Sequence, residues 1–545
     1  MRRRAILLLA PAAVLAAVFA PVRPTNFAGL DEWLTIDLVT RGLFGFPYAS
    51  RPLDLLLTMP GAWLAPNDVW GYLAIHELYL AAGGALAGWM AWRWLRLPLA
   101  VCLMSGVLTA VWAPLDSVRL NAIIGSRYSG TALGVVLAAA LFVAGWRRWR
   151  AGRPRTGWAL AATAAALAVA LVLGLEAALT LLAGVPLIAW ASRPRDLATP
   201  ATRRKLLVLS ACWLAVLAAA AAPLALAMLR HGQAFQYQDA MGLDPHPLHV
   251  ALRIGHQLDA AVRPAFAPRG MLLEAAWPAA LFVVLLIAMG GGREGTPARR
   301  RARRVRLARA AALGAALALL SWSTLSLSSR IAGPARGQML SAPGTALLLA
   351  SLVGLVASFV PARAATLALA LGGAWMVAVA ADHTAALQRE WDHRSRWTPQ
   401  RASLVALIER APAFSPNTLV VVLDDARSWH ASFDFRHAVR LLYGPHVVGF
   451  VWNAYPTVLY PTRFEDGGVD SEPWPSLRGP WQQPPTHHRY DEVVVVRWRS
   501  DRSLAVLGGW PATLPALPPG AVYAPQRRII AGPAPVSRRI LDRER

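Results

Sequence analysis

The chain has 545 residues, of which 56% are hydrophobic and only 16% are charged, and its mean hydropathy is +0.40. A soluble domain carries about 25% charged residues, so this composition excludes an ordinary soluble protein and predicts a polytopic membrane protein. The net charge of +25 does not indicate nucleic-acid binding, because much of it lies in short clusters between apolar segments. Cys102 and Cys212 lie within apolar segments, which predicts neither a disulfide nor a metal site.

Taken in chain order, the apolar segments predict about eleven transmembrane helices. The first follows the basic start MRRR and predicts an uncleaved span over residues 5–22, with a cleaved signal peptide as the alternative. Ten further spans are expected at 69–92, 98–113, 129–146, 157–173, 176–191, 205–228, 271–290, 308–327, 343–360 and 364–381.

Clusters of arginine between the spans set the expected orientation. Clusters such as 147–155 and 299–309 are typical of cytoplasmic loops, which places the N-terminus inside and the C-terminus outside. The apolar segment 156–192 has basic clusters on both sides. It therefore predicts a hairpin of two short helices, with Glu176 at its outer tip, because an acid is costly at mid-membrane. The loops expected outside are 23–68, 113–130, 230–270 and 328–338.

Residues 382–545 predict a small mixed α/β domain on the outer face, following a membrane module over 1–381. The segment 385–410 predicts an amphipathic helix with a break near Pro399. The sequences TLVVVLDD, HVVGFVWNAY, EVVVVRW and SLAVLGGW predict strands separated by Pro- and Gly-rich loops. The pairs at 424–425 (DD) and 487–488 (HH) favour loop polarity over a metal site, because no ligand spacing accompanies them.

The sequence DEWLTIDLVTRGLFGF, residues 31–46, begins with two acids in a chain that is poor in acids. The spacing of Trp33 and Ile36 predicts an amphipathic helix in the membrane interface, with Asp37 and Arg41 one turn apart. Asp31 and Glu32 have two interpretations. They are either an N-cap and a first-turn acid of this helix, or catalytic carboxylates.

The loops expected outside together hold acids and arginines close to the span ends. An enzyme that takes a sugar from a lipid-linked phosphate needs a carboxylate as general base and arginines to hold the phosphate. For each arginine, lipid-headgroup binding or snorkelling at a helix end is the simpler interpretation. The candidates are the acids Asp31, Glu32, Asp116 and Glu176, with the arginines Arg51, Arg119, Arg127, Arg263, Arg330 and Arg336.

The layout resembles the GT-C glycosyltransferases, especially the protein O-mannosyltransferase and aminoarabinose-transferase branch, over about residues 1–380. The stretches LDEW (30–33), SRPL (50–53), APLDSVRLNA (113–122) and GLEAALTLL (174–182) carry the resemblance. It implies Asp31 as catalytic base with Glu32 as its neighbour and rival, and Asp116 as a group that orients the acceptor or binds a cation. Phosphate contacts are implied for Arg51, Arg127 and Arg330, and a divalent Mg or Mn ion for some members of the family.

The function expected from the sequence is inverting transfer of a sugar from a polyprenyl-phosphate donor at the outer face of the cytoplasmic membrane. Membrane lipids and the lipid-linked donor are the expected partners, and no nucleic acid is expected. A lipid-linked glycan ligase or polymerase, a transporter or flippase, and an inactive scaffold are the alternatives. The sequence leaves open the sugar, the acceptor, the lipid carrier, the oligomeric state and the role of the C-terminal domain.

Overall fold

The structure is a computed structural model, and it describes most of the chain. The described residues are 2–22, 32–45, 51–112, 117–192, 199–230, 244–270, 272–289, 297–327, 337–452, 454, 460–472 and 484–542.

Helices dominate the described chain up to residue 410, and each of the eleven predicted spans coincides with helical residues. Within the described residues, six helices are long and apolar enough to cross a membrane. The chain is therefore built as the predicted polytopic α-helical membrane protein. The helices are α1 (Arg2–Phe19), α2 (Glu32–Thr40), α3 (Met59–Leu64), α4 (Val69–Arg93), α5 (Leu99–Val111), α6 (Ala122–Arg150), α7 (Pro154–Gly174), α8 (Ala178–Ala183), α9 (Val185–Ser192), α10 (Pro200–Arg230), α11 (Pro247–Val262), α12 (Leu272–Ala288), α13 (Pro297–Ser326), α14 (Gln338–Ala357), α15 (Ala362–Arg394) and α16 (Trp397–Arg410).

Helix α5 lies at the centre of the membrane part, and every residue from Val101 to Val111 is buried. It packs against α1, α4, α14 and α15. The hairpin predicted over 156–192 is present as α7 followed by two short helices, α8 and α9, which meet at Gly184. Glu176 lies between α7 and α8, at the predicted tip of the hairpin.

Glycines allow α4 and α5 to approach until their backbones touch. A Cβ atom on Gly84 would lie 2.5 Å from the carbonyl oxygen of Gly106, and a Cβ atom on Gly106 would lie 2.8 Å from the carbonyl oxygen of Gly84. Helices α13 and α14 meet in the same way at Gly314 and Gly344. Small residues at such contacts are typical of membrane helices, because close packing replaces the hydrophobic effect as the driving force.

Helix α2 is buried, which contradicts the expectation of an amphipathic helix with one face open to lipid. Eight of its nine residues are buried, including the polar residues Glu32, Thr35 and Asp37. The physical reason is that the C-terminal domain packs over the helix. Trp33 stacks on Trp397 with ring centroids 5.8 Å apart, where an interfacial helix would present its aromatic face to lipid.

The C-terminal domain has the predicted mixed α/β character. Strands β2 (Thr418–Asp424), β3 (Val447–Val451), β7 (Val493–Trp498) and β8 (Leu504–Val506) form one sheet in the order β3-β2-β7-β8, and these are the four predicted strands. Helix α17 (Ser432–Tyr443) connects β2 to β3. Strands β4 (Thr462–Glu465), β5 (Gly468–Ser471) and β6 (Thr486–His488) form an antiparallel sheet, and β1 (Ala413–Phe414) pairs with β9 (Ile529–Ile530).

The break expected near Pro399 lies slightly earlier, at Ser395 and Arg396 between α15 and α16. Pro399 falls in the first turn of α16, where its missing N–H group costs no intrahelical hydrogen bond. Helix α15 continues past residue 381, and the division of the chain at that residue stays a prediction.

One hydrophobic cluster contains residues of both parts of the chain. Trp33 and Leu34 of α2 and Tyr72 of α4 share it with Leu404 of α16 and Val420 of β2, all almost fully buried. The C-terminal domain therefore rests on α2 through a continuous apolar contact, as well as through polar groups.

We expect Gly84→Ala to destabilise the membrane part by about 1–3 kcal/mol, because the new methyl group must push α5 away from α4. The measurement is the apparent melting midpoint of the purified chain in detergent, at fixed lipid content.

Gly83→Ala is the matched control, since a Cβ atom there meets Leu133 at an ordinary 3.9 Å. It should leave the midpoint unchanged or raise it slightly, because alanine favours a helix interior over glycine. Equal midpoints for the two variants would contradict the proposed backbone contact.

Candidate active site

Glu32 is held by the second predicted loop. It lies in the first turn of α2, is fully buried, and its carboxylate accepts a hydrogen bond from the side-chain amide of Asn121. Asn121 is also the N-cap of α6, because its Oδ1 accepts from the backbone N–H groups of Ile123 and Ile124 at 3.1 Å. One asparagine thus starts a long membrane helix and fixes the acid of the first loop.

Arg127 connects α2 with the turn that precedes α3. The guanidinium donates to Asp54 at 2.8 Å and to the hydroxyl of Thr35, one turn along α2 from Glu32. Arg127 and Asp54 are both buried. A buried charge is tolerated only when it is paired and hydrogen-bonded, so this ion pair forms a fixed part of the structure around α2.

Arg51 and Glu176 form a second ion pair with two parallel hydrogen bonds, one of which joins Arg51 Nε to Glu176 Oε2 at 2.7 Å. About a quarter of each side chain is exposed. Burial disfavours the charged form of both groups. For each group, the opposite charge and the hydrogen bonds of its partner outweigh this effect of burial. The pKa of Glu176 is therefore lowered and the pKa of Arg51 is raised.

Arg119 lies in a short 3₁₀ helix, Ser117–Leu120, immediately before Asn121. Its side chain is buried, with the guanidinium carbon 5.2 Å from the ring centroid of Phe19. Its carbonyl oxygen lies 2.9 Å from Nε2 of His76, whose Nδ1 contacts Ser129 Oγ at 2.9 Å. A buried histidine on α4 therefore fixes the backbone next to the Glu32 contact.

The far end of α2 binds the C-terminal domain through Asp37. His437 of α17 contacts Asp37 through Nδ1 at 2.7 Å, and Arg440 and Arg41 lie 3.6 Å and 3.4 Å from the same carboxylate. Burial lowers the pKa of His437, although Asp37 opposes this effect. Nδ1 faces the Asp37 carboxylate, and the Tyr460 hydroxyl lies 3.4 Å from Nε2.

The structure brings together some of the predicted site residues. Glu32, Arg119, Arg127, Arg51 and Glu176 all lie at the same end of the helices, around α2, the turn before α3 and the start of α6. Arg263 is 73% exposed and faces Asp259 one turn earlier in α11, at 3.6 Å; among the described residues, the ion pairs give it no contact with this cluster. Asp31, Asp116, Arg330 and Arg336 lie outside the described residues.

Several residues of the cluster were not predicted as site residues. Asn121, Asp54 and Thr35 are the partners of Glu32 and Arg127, and His437 is the partner of Asp37. A local signal exists only for Asn121, because an asparagine directly before a long apolar segment is typical of an N-cap. The other contacts join segments far apart in the chain.

Solved structures of membrane glycosyltransferases are similar to this chain, whereas no protein-family model and no curated protein matches it. The apo oligosaccharyltransferase of Archaeoglobus fulgidus matches with 14% identity and a TM-score of 0.37, over 80% of this chain and 63% of its own. ArnT from Cupriavidus metallidurans, bound to undecaprenyl phosphate, matches with 13% identity and a TM-score of 0.33, over 76% of this chain and 82% of its own.

A structure of AglB from Archaeoglobus fulgidus, with an inhibitory peptide and a dolichol-phosphate, matches with 15% identity and a TM-score of 0.36, over 80% of this chain and 63% of its own. The matched region spans less than two thirds of the archaeal enzyme.

Within the described part of the chain, no group of three histidine, cysteine, aspartate or glutamate side chains is placed to hold a metal ion. Asp116, which is expected to orient the acceptor or to bind a cation, lies outside that part, as does Asp31. Of the neighbouring acids, Glu32 already accepts a hydrogen bond from an amide. A Mg or Mn site therefore stays a prediction.

We expect the Arg51–Glu176 pair to stabilise the fold above pH 4.5, the ordinary pKa of the glutamate, and to lose its effect as the pH falls through the lower pKa of the folded state. The sign follows because the unfolded chain takes up the proton first. The measurement compares the melting midpoints of the wild type and Glu176→Gln from pH 7 to pH 3.

The difference between the two midpoints should be largest near neutral pH and should shrink below pH 4.5. Glu409→Gln, at an exposed site of α16, is the control and should follow the wild type throughout. A gap between the wild type and Glu176→Gln that is independent of pH would show that the carboxylate charge is not what stabilises this contact.

Proposed function

We propose that the chain is a membrane glycosyltransferase that moves a sugar from a polyprenyl-phosphate donor to an acceptor hydroxyl, at the outer face of the cytoplasmic membrane. The observation that carries this proposal is the contact between Glu32 and Asn121. It joins Glu32 of the first loop to the second loop, in which Asp116 is the other predicted acid. Three of the predicted arginines, Arg51, Arg119 and Arg127, lie at the same end of the helices.

In the proposed reaction, Asp31 accepts the proton of the acceptor hydroxyl as that oxygen attacks the anomeric carbon of the donor sugar. The bond between the anomeric carbon and the phosphate oxygen breaks, and polyprenyl phosphate leaves with the bonding electrons. A single displacement inverts the anomeric configuration. Glu32, fixed by Asn121, is the first residue of α2, and Asp31 directly precedes it in the sequence.

Arginine side chains are suited to the leaving phosphate, because planar guanidinium groups form paired hydrogen bonds with its oxygens. Among the described arginines, Arg51 is the best candidate to bind the leaving phosphate. A quarter of its side chain is exposed, and its present partner, the Glu176 carboxylate, is an anion as phosphate is. A donor phosphate can replace Glu176 there. Arg127 is buried between Asp54 and Thr35, so its proposed role is to position α2 rather than to bind phosphate.

A divalent cation is compatible with this scheme through Asp31 and Asp116, since carboxylate oxygens suit Mg or Mn. When bound, it would supply positive charge beside the donor phosphate.

We expect Asp31→Asn to lower sugar transfer by about 100-fold or more, the usual effect of removing a general base. The measurement is transfer from defined polyprenyl-phosphate sugars by the purified chain in liposomes. Glu32→Gln separates the two rival acids, because a glutamine oxygen can still accept from Asn121. It should lower transfer much less than Asp31→Asn does.

Asp542→Asn is the control, since that carboxylate is 58% exposed and lies in the C-terminal segment facing Arg538. It should transfer sugar at the wild-type rate. Equal turnover in the wild type and Asp31→Asn would remove Asp31 from the mechanism, and a loss confined to Glu32→Gln would give the role of base to Glu32.

Orientation is testable separately with single cysteines and a membrane-impermeant thiol reagent on intact cells. We expect Asp31→Cys to be labelled from outside and Ala302→Cys, in the arginine cluster 299–309, to be labelled only after the membrane is opened. The native cysteines lie in α5 and α10, within apolar helices. Labelling of both positions from the same side would contradict the proposed topology.

A further inference from the structure

The main sheet of the C-terminal domain has the strand order that creates a ligand crevice in open α/β folds. Strand β2 pairs in parallel with β3 on one side and with β7 on the other. The chain leaves β2 through α17 toward β3, and it later enters β7 on the opposite side of β2. Where the chain leaves two neighbouring parallel strands in opposite directions, the loops that follow their carboxyl ends separate. Ligands bind in the crevice between these two loops.

A cavity of about 300 Å³ lies at this place. The loop after β2 forms one wall, the end of β7 and its following loop form the other, and α16 contributes a single proline. The lining residues are Asp425, Ala426, Arg427, Ser428, Trp498, Ser500, Arg502 and Pro399.

Hydrogen bonds hold the floor of this crevice. The backbone N–H of Trp429 donates to Asp424 Oδ2 at 2.7 Å, and the indole of Trp498 donates to the hydroxyl of Ser428 at 2.9 Å. Asp424, Ser428 and Trp498 are all buried. The crevice is therefore preformed, because a hydrogen bond joins the loop after β2 to the end of β7.

The rim of the crevice is cationic. Arg427 and Arg502, one from each loop, line the cavity from exposed positions, and Arg396 reaches the same rim by donating to the carbonyl of Arg427. The one acid of the lining, Asp425, faces Arg497 at 3.6 Å. Two guanidinium groups on opposite walls favour an oxyanion, and a phosphate group has the oxygens to contact both.

The crevice lies next to the candidate active site. The carbonyl of Ser428 accepts a hydrogen bond from Gln400 at 3.3 Å, and the same amide side chain accepts from the indole of Trp33 at 3.0 Å. Trp33 directly follows Glu32. Two hydrogen bonds therefore connect the wall of the crevice to the first turn of α2.

We propose that this crevice is an acceptor subsite that binds a phosphate group carried by the acceptor. The acceptor role rests on the proposed glycosyl transfer, whereas the phosphate site itself does not. A ligand held between Arg427 and Arg502 is anchored on the C-terminal domain, and the contact through Gln400 keeps that anchor in a fixed relation to the acids of α2.

The test measures binding to the purified full-length chain in detergent, with no sugar donor present. Glucose 6-phosphate is the probe, and glucose is the uncharged control that lacks the phosphate group. The binding of both compounds is measured by isothermal titration calorimetry. We expect saturable binding of the phosphate ester alone, and a loss of about tenfold or more in affinity for Arg427→Gln and for Arg502→Gln, since each removes a charged hydrogen bond.

Arg499→Gln is the matched control, because Arg499 lies in the same loop as Arg502 but does not line the cavity. It should bind glucose 6-phosphate as the wild type does. An equal loss in all three variants would reduce the effect to general surface charge, and absence of saturable binding in the wild type would overturn the phosphate site.

The source of the phosphate is assigned by competition in nanodiscs. Displacement of glucose 6-phosphate by phosphatidic acid in the bilayer would show that the crevice binds a lipid headgroup. If phosphatidic acid does not displace it, the crevice binds a soluble phosphorylated saccharide. Both results are consistent with the phosphate site. An unchanged KM for a phosphorylated acceptor in Arg427→Gln and Arg502→Gln would overturn the acceptor role. Binding without any sugar transfer would instead contradict the proposed function and leave the phosphate site intact.

Discussion

The structure depends on the burial of one short polar helix, α2, between the membrane helices and the C-terminal domain. Glu32 and Asp37 are both almost fully buried, which is costly unless each carboxylate is paired or hydrogen-bonded. Their partners lie in different parts of the chain, with Asn121 at the start of α6 and His437 on α17. The direction and rotation of α2 are therefore set by contacts with both parts of the chain.

Removing one partner from such contacts is more damaging than replacing both, because a buried charge or polar group is left without compensation. This explains why polar groups surround α2 on several sides. Thr35 accepts from Arg127, Trp33 donates to Gln400, and Asp37 has three basic neighbours. The C-terminal domain is thus part of the surroundings of the candidate site.

Hydropathy predicts the helices of the membrane part well, because a span of about 20 apolar residues is a local property of the sequence. The strands of the C-terminal domain are also local, as the valine-rich segments of β2 and β7 show. The burial of α2, in contrast, is not a local property of the sequence. The spacing of Trp33, Ile36 and Asp37 fits an interfacial helix and a buried helix equally, and the two differ only in what covers them.

The decisive contacts of the candidate site join distant segments of the chain. Asp37 and His437 are 400 residues apart, and Trp33 and Gln400 are 367 residues apart. No period or short motif contains that information. The acids of the first loop are visible in sequence because they are rare in this chain, whereas their partners are ordinary polar residues that gain their role only from the fold.

In the proposed reaction, a donor in the membrane and an acceptor in water must meet at one base. Asn121 at the start of α6 contacts the first residue of α2, and Gln400 of α16 connects Trp33 of α2 to the crevice of the C-terminal domain. A helix fixed on one side only could present its acids at variable distances from the second substrate. Because α2 is held by both parts of the chain, Glu32 at its beginning has one position relative to both, which is the geometric requirement of the proposed direct displacement.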